Sequence, residues 1–86
     1  MASVVLYTSG HCPYCIRAKS LLDKKKVIYQ EIRIDLEPTR MQEMIERSSG
    51  RRTVPQIFIN HQHIGGFDDL WALEQSGELD KLLEKV

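Results

Sequence analysis

The stretch Ser3-Val4-Val5-Leu6-Tyr7-Thr8-Ser9-Gly10-His11-Cys12-Pro13-Tyr14-Cys15 decides the fold. Ser3 to Tyr7 is a short β-branched run ending in an aromatic, and it reads as a buried strand. Thr8 to His11 reads as a loop. Pro13 suits the first turn of a helix, where its missing N–H is not needed. Ile16, Ala18, Leu21 and Leu22 continue an apolar helical stripe to about Lys25. Lys24, Lys25 and Lys26 lie near the end of that helix, where positive charge complements the dipole. Two cysteines thus stand where a strand hands over to a helix.

Working outward, Val27 to Ile34 alternates in part and predicts a second strand. Pro38 opens a second helix with Met41, Met44 and Ile45 on one face, and Gly50 ends or follows it. Gln56 to Asn60 predicts a third strand around Ile57-Phe58-Ile59. Asn60-His61-Gln62 reads as a hairpin connection to a short fourth strand at His63-Ile64. After the break at Gly65-Gly66, a helix starts near Phe67 and runs through Leu70 and Leu73. It yields at Ser76-Gly77 to a last helix carrying Leu79, Leu82 and Leu83. The order is βαβαββα plus a C-terminal helix. The first βαβ predicts parallel strands joined by a right-handed crossover, and the tight β–β link predicts an antiparallel pair. An α/β fold follows, with a mixed four-stranded sheet flanked by helices.

The 86 residues, 42% hydrophobic and 28% charged, are expected to form one domain over 1–86. Twelve basic residues balance twelve acidic ones, so nothing favours a nucleic acid or an anionic membrane as partner. No apolar run approaches the roughly 20 residues of a membrane span. Val4-Val5-Leu6-Tyr7 is too short for a signal-peptide core. A cytoplasmic protein, acting as a monomer, is expected. In a reducing compartment, two cysteines three apart suit redox or metal chemistry better than a structural staple.

Disulfide exchange needs a thiolate, and a free cysteine with pKa about 8.5 is mostly protonated near neutral pH. Cys12 lies at a helix N-terminus, where unpaired N–H groups and the dipole stabilise negative charge. Cys12 is therefore expected to be the attacking sulfur with a lowered pKa, helped by His11 and Arg17. Cys15, one turn later and turned further inward, is expected to resolve the mixed disulfide. Tyr14 offers an exposed aromatic face. The competing use of this pair is half of a zinc site completed by His61 and His63, with His11 in reserve. No second C-x-x-C is present and the histidine spacing is not that of a zinc finger. The three histidines read as surface or turn residues, and no metal is expected.

Cys12-Pro13-Tyr14-Cys15, Thr53-Val54-Pro55-Gln56-Ile57-Phe58-Ile59 and Gly65-Gly66-Phe67-Asp68-Asp69-Leu70 together resemble the three signatures of glutaredoxins. They occur in that family's order and spacing, and the resemblance covers essentially the whole chain. It is greatest to the small bacterial dithiol members of the third type. The resemblance implies a thioredoxin-like fold and a redox-active disulfide that takes its electrons from glutathione. No bound cofactor is implied; glutathione is a co-substrate. Pro55 is implied to be a cis-proline facing the sulfurs, with Thr53 beside it. Val54 is implied to pair its backbone with the cysteine of glutathione, and backbone pairing of that kind holds a peptide in register whatever its side chains. Gly66, Phe67, Asp68 and Asp69 are implied to receive the γ-glutamyl end. There helix N–H groups suit the carboxylate and an aspartate suits the ammonium. The aspartates equally suit capping of the helix. Gln42 and Arg52, with Arg51 as neighbour, are implied to hold the glycine carboxylate, and Tyr14 to flank the ligand. Ser9 departs from the lysine of many relatives, and Phe67 stands where some carry another cysteine.

The implied chemistry is reduction of protein disulfides through Cys12 and Cys15, and of glutathione mixed disulfides through Cys12 alone. Partners would be glutathione, protein disulfides and glutathionylated proteins, ribonucleotide reductase among them, with glutathione reductase acting indirectly. The alternatives are a reductase fed by thioredoxin reductase and an iron–sulfur or metal carrier.

Overall fold

The structure is a computed structural model and describes residues 2–84. Met1 and residues 85–86, the ends of the expected 1–86 unit, lie outside the described residues. The elements are β1 (Val4–Thr8), α1 (Pro13–Lys24), β2 (Gln30–Arg33), α2 (Arg40–Arg47), β3 (Gln56–Ile59), β4 (Gln62–Gly65), α3 (Phe67–Ser76) and α4 (Glu78–Leu82). The sheet order is β2-β1-β3-β4. β1 runs parallel to β2 and antiparallel to β3, and β3 is antiparallel to β4.

Strand alternation splits the core between the two faces of the sheet. Val4, Leu6, Ile57 and Ile59 point toward α1, α3 and α4, where Ala18, Leu22, Leu70 and Leu79 meet them. Tyr7 and Phe58 point the other way, toward Met44 of α2, and form an edge-to-face pair with centroids 5.7 Å apart. Leu6 is fully buried, so Leu6→Ala would cost about 2–5 kcal/mol. The α2 face also carries a polar clamp. The buried Tyr7 hydroxyl donates to Glu43 and accepts from Arg47 Nη1 at 2.7 Å. Burial and the Glu43 carboxylate raise the Tyr7 pKa, while Arg47 pulls it down.

Two expected starts shift by more than one residue, and the ends of β1, β3 and β4 by one. β2 begins at Gln30 rather than Val27 because the ladder with β1 starts at Val5↔Gln30; Ile28, unpaired, is 78% exposed. α2 begins at Arg40 rather than Pro38, because Arg40 and Met41 donate to Glu37 and Pro38 in tighter i→i+3 turns. Ile16, expected on the apolar stripe of α1, is exposed, since Cys15, Ala18 and Leu22 define the core-facing side. Lys25 does more than complement a dipole: its ammonium bridges Glu74 and Asp80 at 2.7 and 2.8 Å, tying α1 to α3 and α4. The hairpin between β3 and β4 turns through Asn60 and His61, both at positive φ (52° and 67°), as a two-residue primed turn requires. No helix among the described residues is long and apolar enough to cross a membrane.

Candidate active site

Topology alone brings three segments to one end of the sheet. β1 ends at Thr8 and leads to Cys12. β3 is antiparallel with Tyr7 opposite Gln56, so the residues entering β3 lie beside the exit of β1. β4 is antiparallel in turn with Gly65 opposite Ile57, which delivers the start of α3 to the same end.

Cys12 is the N-cap of α1 (φ −138°, ψ 99°), and its Sγ accepts the Cys15 N–H at 3.1 Å. Sulfur stands where a serine or threonine oxygen usually sits. The two cysteines form a disulfide, with Cα atoms 5.1 Å apart. Both cysteines are buried, Cys12 at 8% exposure less completely than Cys15 at 1%. The approach loop is held from below. Asp35 accepts the Gly10 N–H at 3.0 Å and a two-pronged bond from Arg33 at 2.8 and 2.7 Å. The Arg33 guanidinium, with help from Gly10, holds the Asp35 carboxyl well below the usual carboxylate range. Thr8 donates to Glu31 at 2.6 Å, and Lys19 pairs with the same carboxylate at 2.9 Å. Burial alone would raise the Glu31 pKa, but these two bonds bring it below its ordinary value.

The Val54–Pro55 peptide is cis, and the Val54 carbonyl oxygen lies 3.6 Å from Cys12 Sγ. Beside it opens a cavity of about 420 Å³. Thr53, Val54 and Pro55 form one wall; Gly66, Phe67, Asp68 and Asp69 form the other; Tyr14 and Arg51 close the ends. Tyr14, half exposed, stacks on Phe67, which stacks on Trp71, each pair 6.1 Å between centroids. Arg17, expected to support the sulfur, lies over the Tyr14 ring at 5.2 Å.

The two aspartates divide. Asp69 Oδ2 accepts the Gly66 N–H at 3.0 Å and sits 3.8 Å from Arg51 Nη1. Gly65 has φ 124°, and a Cβ there would strike the Asp69 carboxylate. Asp68 is exposed and, among the described residues, has no hydrogen-bond or ion-pair partner. Gln42 and Arg52 do not line the cavity. Gln42 bonds Glu46 at 3.2 Å on the outer face of α2, and Arg52 is exposed. Among the described residues, Arg51 is the cation that lines the cavity, and its main chain is held by Ser48, whose Oγ accepts the Arg51 N–H and donates to the Arg51 carbonyl, both at 3.1 Å. His63, read from sequence as a surface or turn residue, is half-buried on β4 and shares a 2.7 Å bond with Gln56. Burial, then the charge of Arg51, lower its pKa.

Residues 4–64 match the family model described as Glutaredoxin. The chain belongs to the glutaredoxin family. Glutaredoxin 3 of Escherichia coli is 58% identical over 98% of this chain and 100% of its own. A glutaredoxin from Brucella melitensis superposes with a TM-score of 0.84 at 52% identity, covering 99% of this chain and 91% of that one. The buckwheat glutaredoxin–glutathione complex superposes at 0.88 with 32% identity, covering 98% and 78%. As a glutaredoxin the chain is a glutathione-dependent disulfide oxidoreductase of thioredoxin-like fold. Cys12 and Cys15 are its redox-active pair, and glutathione is its co-substrate.

Proposed function

We propose that this glutaredoxin, acting as a single-domain monomer in the cytoplasm, runs two routes from one sulfur. With a protein disulfide, the Cys12 thiolate attacks one sulfur and expels the other as a thiolate. Cys15, having given up its proton, then attacks Cys12 Sγ and releases the reduced substrate, leaving Cys12–Cys15 oxidised. One glutathione thiolate opens that bond at Cys12, and a second removes the first as oxidised glutathione. With a glutathionylated thiol, Cys12 takes the glutathione sulfur directly and Cys15 is not needed. Glutathione reductase closes the cycle by regenerating glutathione.

The observation that carries this reading is Cys12 Sγ 3.6 Å from the carbonyl oxygen of Val54, a residue in the wall of the cavity. On this reading the Val54 N–H and C=O pair with the cysteine of glutathione as a strand would. Asp68 receives the γ-glutamyl ammonium, and the free N–H groups of the first turn of α3 receive its carboxylate. Arg51 serves the glycine carboxylate in preference to Gln42 and Arg52. Protein disulfides and glutathionylated proteins, ribonucleotide reductase among them, are the substrates this open rim admits.

The test is NADPH consumption with a small glutathione mixed disulfide, coupled either to glutathione plus glutathione reductase or to thioredoxin reductase. Turnover is expected only in the glutathione system. Turnover only with thioredoxin reductase overturns the glutathione site, and turnover in neither overturns both routes.

A further inference from the structure

Thr53, Val54 and Pro55 form one wall of the cavity, yet they belong to no strand and have no ladder partner. What holds them is therefore a matter of side chains. At one end Ser48 grips Arg51. At the other end the grip comes from Gln56, the first residue of β3, which is fully buried.

A buried primary amide needs partners for both its N–H groups and its oxygen. Gln56 Nε2 lies 3.0 Å from the Thr53 carbonyl oxygen and 3.3 Å from Thr53 Oγ1. A carbonyl only accepts, so the amide nitrogen must face Thr53 and the amide oxygen must face away. That oxygen meets His63 Nε2 at 2.7 Å. An amide oxygen also only accepts, so His63 must carry its hydrogen on Nε2. The imidazole is braced in turn against Phe58, with centroids 5.0 Å apart. The chain of bonds thus runs from β4, through a buried amide, to the residue immediately before Val54.

We propose that His63 and Gln56 are positioning residues for glutathione. His63 orients the Gln56 amide, which tethers Thr53 and so fixes the direction in which Val54 presents its N–H and C=O beside Cys12. Neither residue lines the cavity. Removing the His63 donor leaves Gln56 Oε1 buried without a partner, and the amide is then free to turn away from Thr53. The loss falls on binding of the glutathionyl group rather than on the sulfur chemistry. The inference rests on the glutathione cavity proposed above.

Steady-state kinetics with the mixed disulfide of cysteine and glutathione test it, using His63→Phe, His63→Gln and Gln56→Met. Phenylalanine keeps the ring against Phe58 and removes the donor. KM is expected to rise about five-fold with kcat changed less than about two-fold, the scale of one lost hydrogen bond. Glutamine restores an N–H donor and is expected to bring KM back to within about two-fold of the unmodified protein. Gln56→Met conserves volume and serves as a second route to the same KM rise. An unchanged KM in either His63→Phe or Gln56→Met, equal impairment in His63→Phe and His63→Gln, or a loss confined to kcat overturns the assignment. Asp68→Ala in the same assay separates the two levels. A raised KM there with a normal His63→Phe removes the tether and leaves the cavity standing, whereas normal KM values in both remove the cavity itself.

Discussion

Helices α1 and α3 both bring their N-terminal ends to the same end of the sheet, and the two ends are finished differently. The first turn of α1 contains no carboxylate, and its cap is the Cys12 sulfur, which takes the Cys15 N–H. The first turn of α3 carries Asp68 and Asp69, and Asp69 already accepts the Gly66 N–H. One positive helix end is thus left to a sulfur that must bear negative charge, while the other is largely balanced before any ligand arrives. Under the proposed function, similar backbone devices serve different ends: α1 would favour a thiolate at Cys12, and α3 a group carrying both a carboxylate and an ammonium. A fully anionic ligand would meet repulsion from Asp68 at the second site.

The largest effects break the first half of that contrast. Cys12→Ser is expected to abolish turnover of protein disulfides and glutathione mixed disulfides alike. Cys15→Ser is expected to lose protein-disulfide reduction but keep mixed-disulfide turnover within about three-fold, because only the two-cysteine route needs a resolving thiolate. Parallel assays of both substrates decide this, and equal loss of both activities in Cys15→Ser would remove the proposed division of labour.

The second half separates at the two aspartates. Asp69→Ala removes a cap and should destabilise the fold by about 1 kcal/mol, read as a lower denaturation midpoint. Asp68→Ala should leave that midpoint unchanged and raise KM for a glutathione mixed disulfide about three-fold, as an exposed charge contact warrants. A lower midpoint in Asp68→Ala would show that both carboxylates are structural.

A smaller change makes α1 resemble α3. Ile16 is exposed in the first turn, so Ile16→Glu, by adding a negative charge near the helix end, should make the Cys12 thiol harder to ionise and slow its alkylation at neutral pH. Ser9→Lys should act in the opposite direction and tighten glutathione binding. The pH dependence of iodoacetamide alkylation measures the first effect. Unchanged profiles would mean that the N–H donated by Cys15, and not the summed field, governs the sulfur.

The smallest effect concerns the loop that carries Cys12. Asp35 is held below its ordinary pKa by Arg33, so its contribution to stability is complete above about pH 4, the unfolded carboxylate value. It is lost as pH falls toward the lowered folded value. Asp35→Asn should therefore lower the midpoint slightly at pH 7 and leave it nearly unchanged at strongly acid pH. An equal loss at both would show that the carboxylate charge is not what the loop depends on, since asparagine keeps an oxygen to accept the Gly10 N–H.

Legibility in the sequence followed the physics of each element. Short continuous apolar runs placed β1 and β3 to within a residue because their central positions bury both faces, as Leu6 with Tyr7 and Ile57 with Phe58 show; alternation was the signal used for β2. It failed at Val27–Tyr29, where apolar residues pack against the core with no strand beside them to pair with. Local signals marked the cysteine pair at a strand-to-helix junction, and the resemblance pointed to the Thr53–Pro55 segment and the Gly66–Asp69 turn, which line one cavity. The resemblance pointed to Arg52 with Arg51 only as its neighbour, whereas Arg51 is the one that lines the cavity; neighbouring arginines are chemically identical along the chain and differ only in where the fold puts them. Neither signal singled out His63, whose partner Gln56 lies across a hairpin.

What the sequence determined by itself was the chemistry and its place: two cysteines at a strand-to-helix junction, and three motif blocks in a fixed order. These are properties of neighbours along the chain, set by dihedral preference, capping and periodicity. The tertiary structure alone decided which groups face one another. It put the Val54 carbonyl 3.6 Å from Cys12 Sγ, made Asp69 a cap while leaving Asp68 open, and joined His63 to Thr53 through a buried amide. Such contacts depend on strand register, and register is settled by the packing of the whole sheet, because a shift of one residue would turn every side chain to the other face.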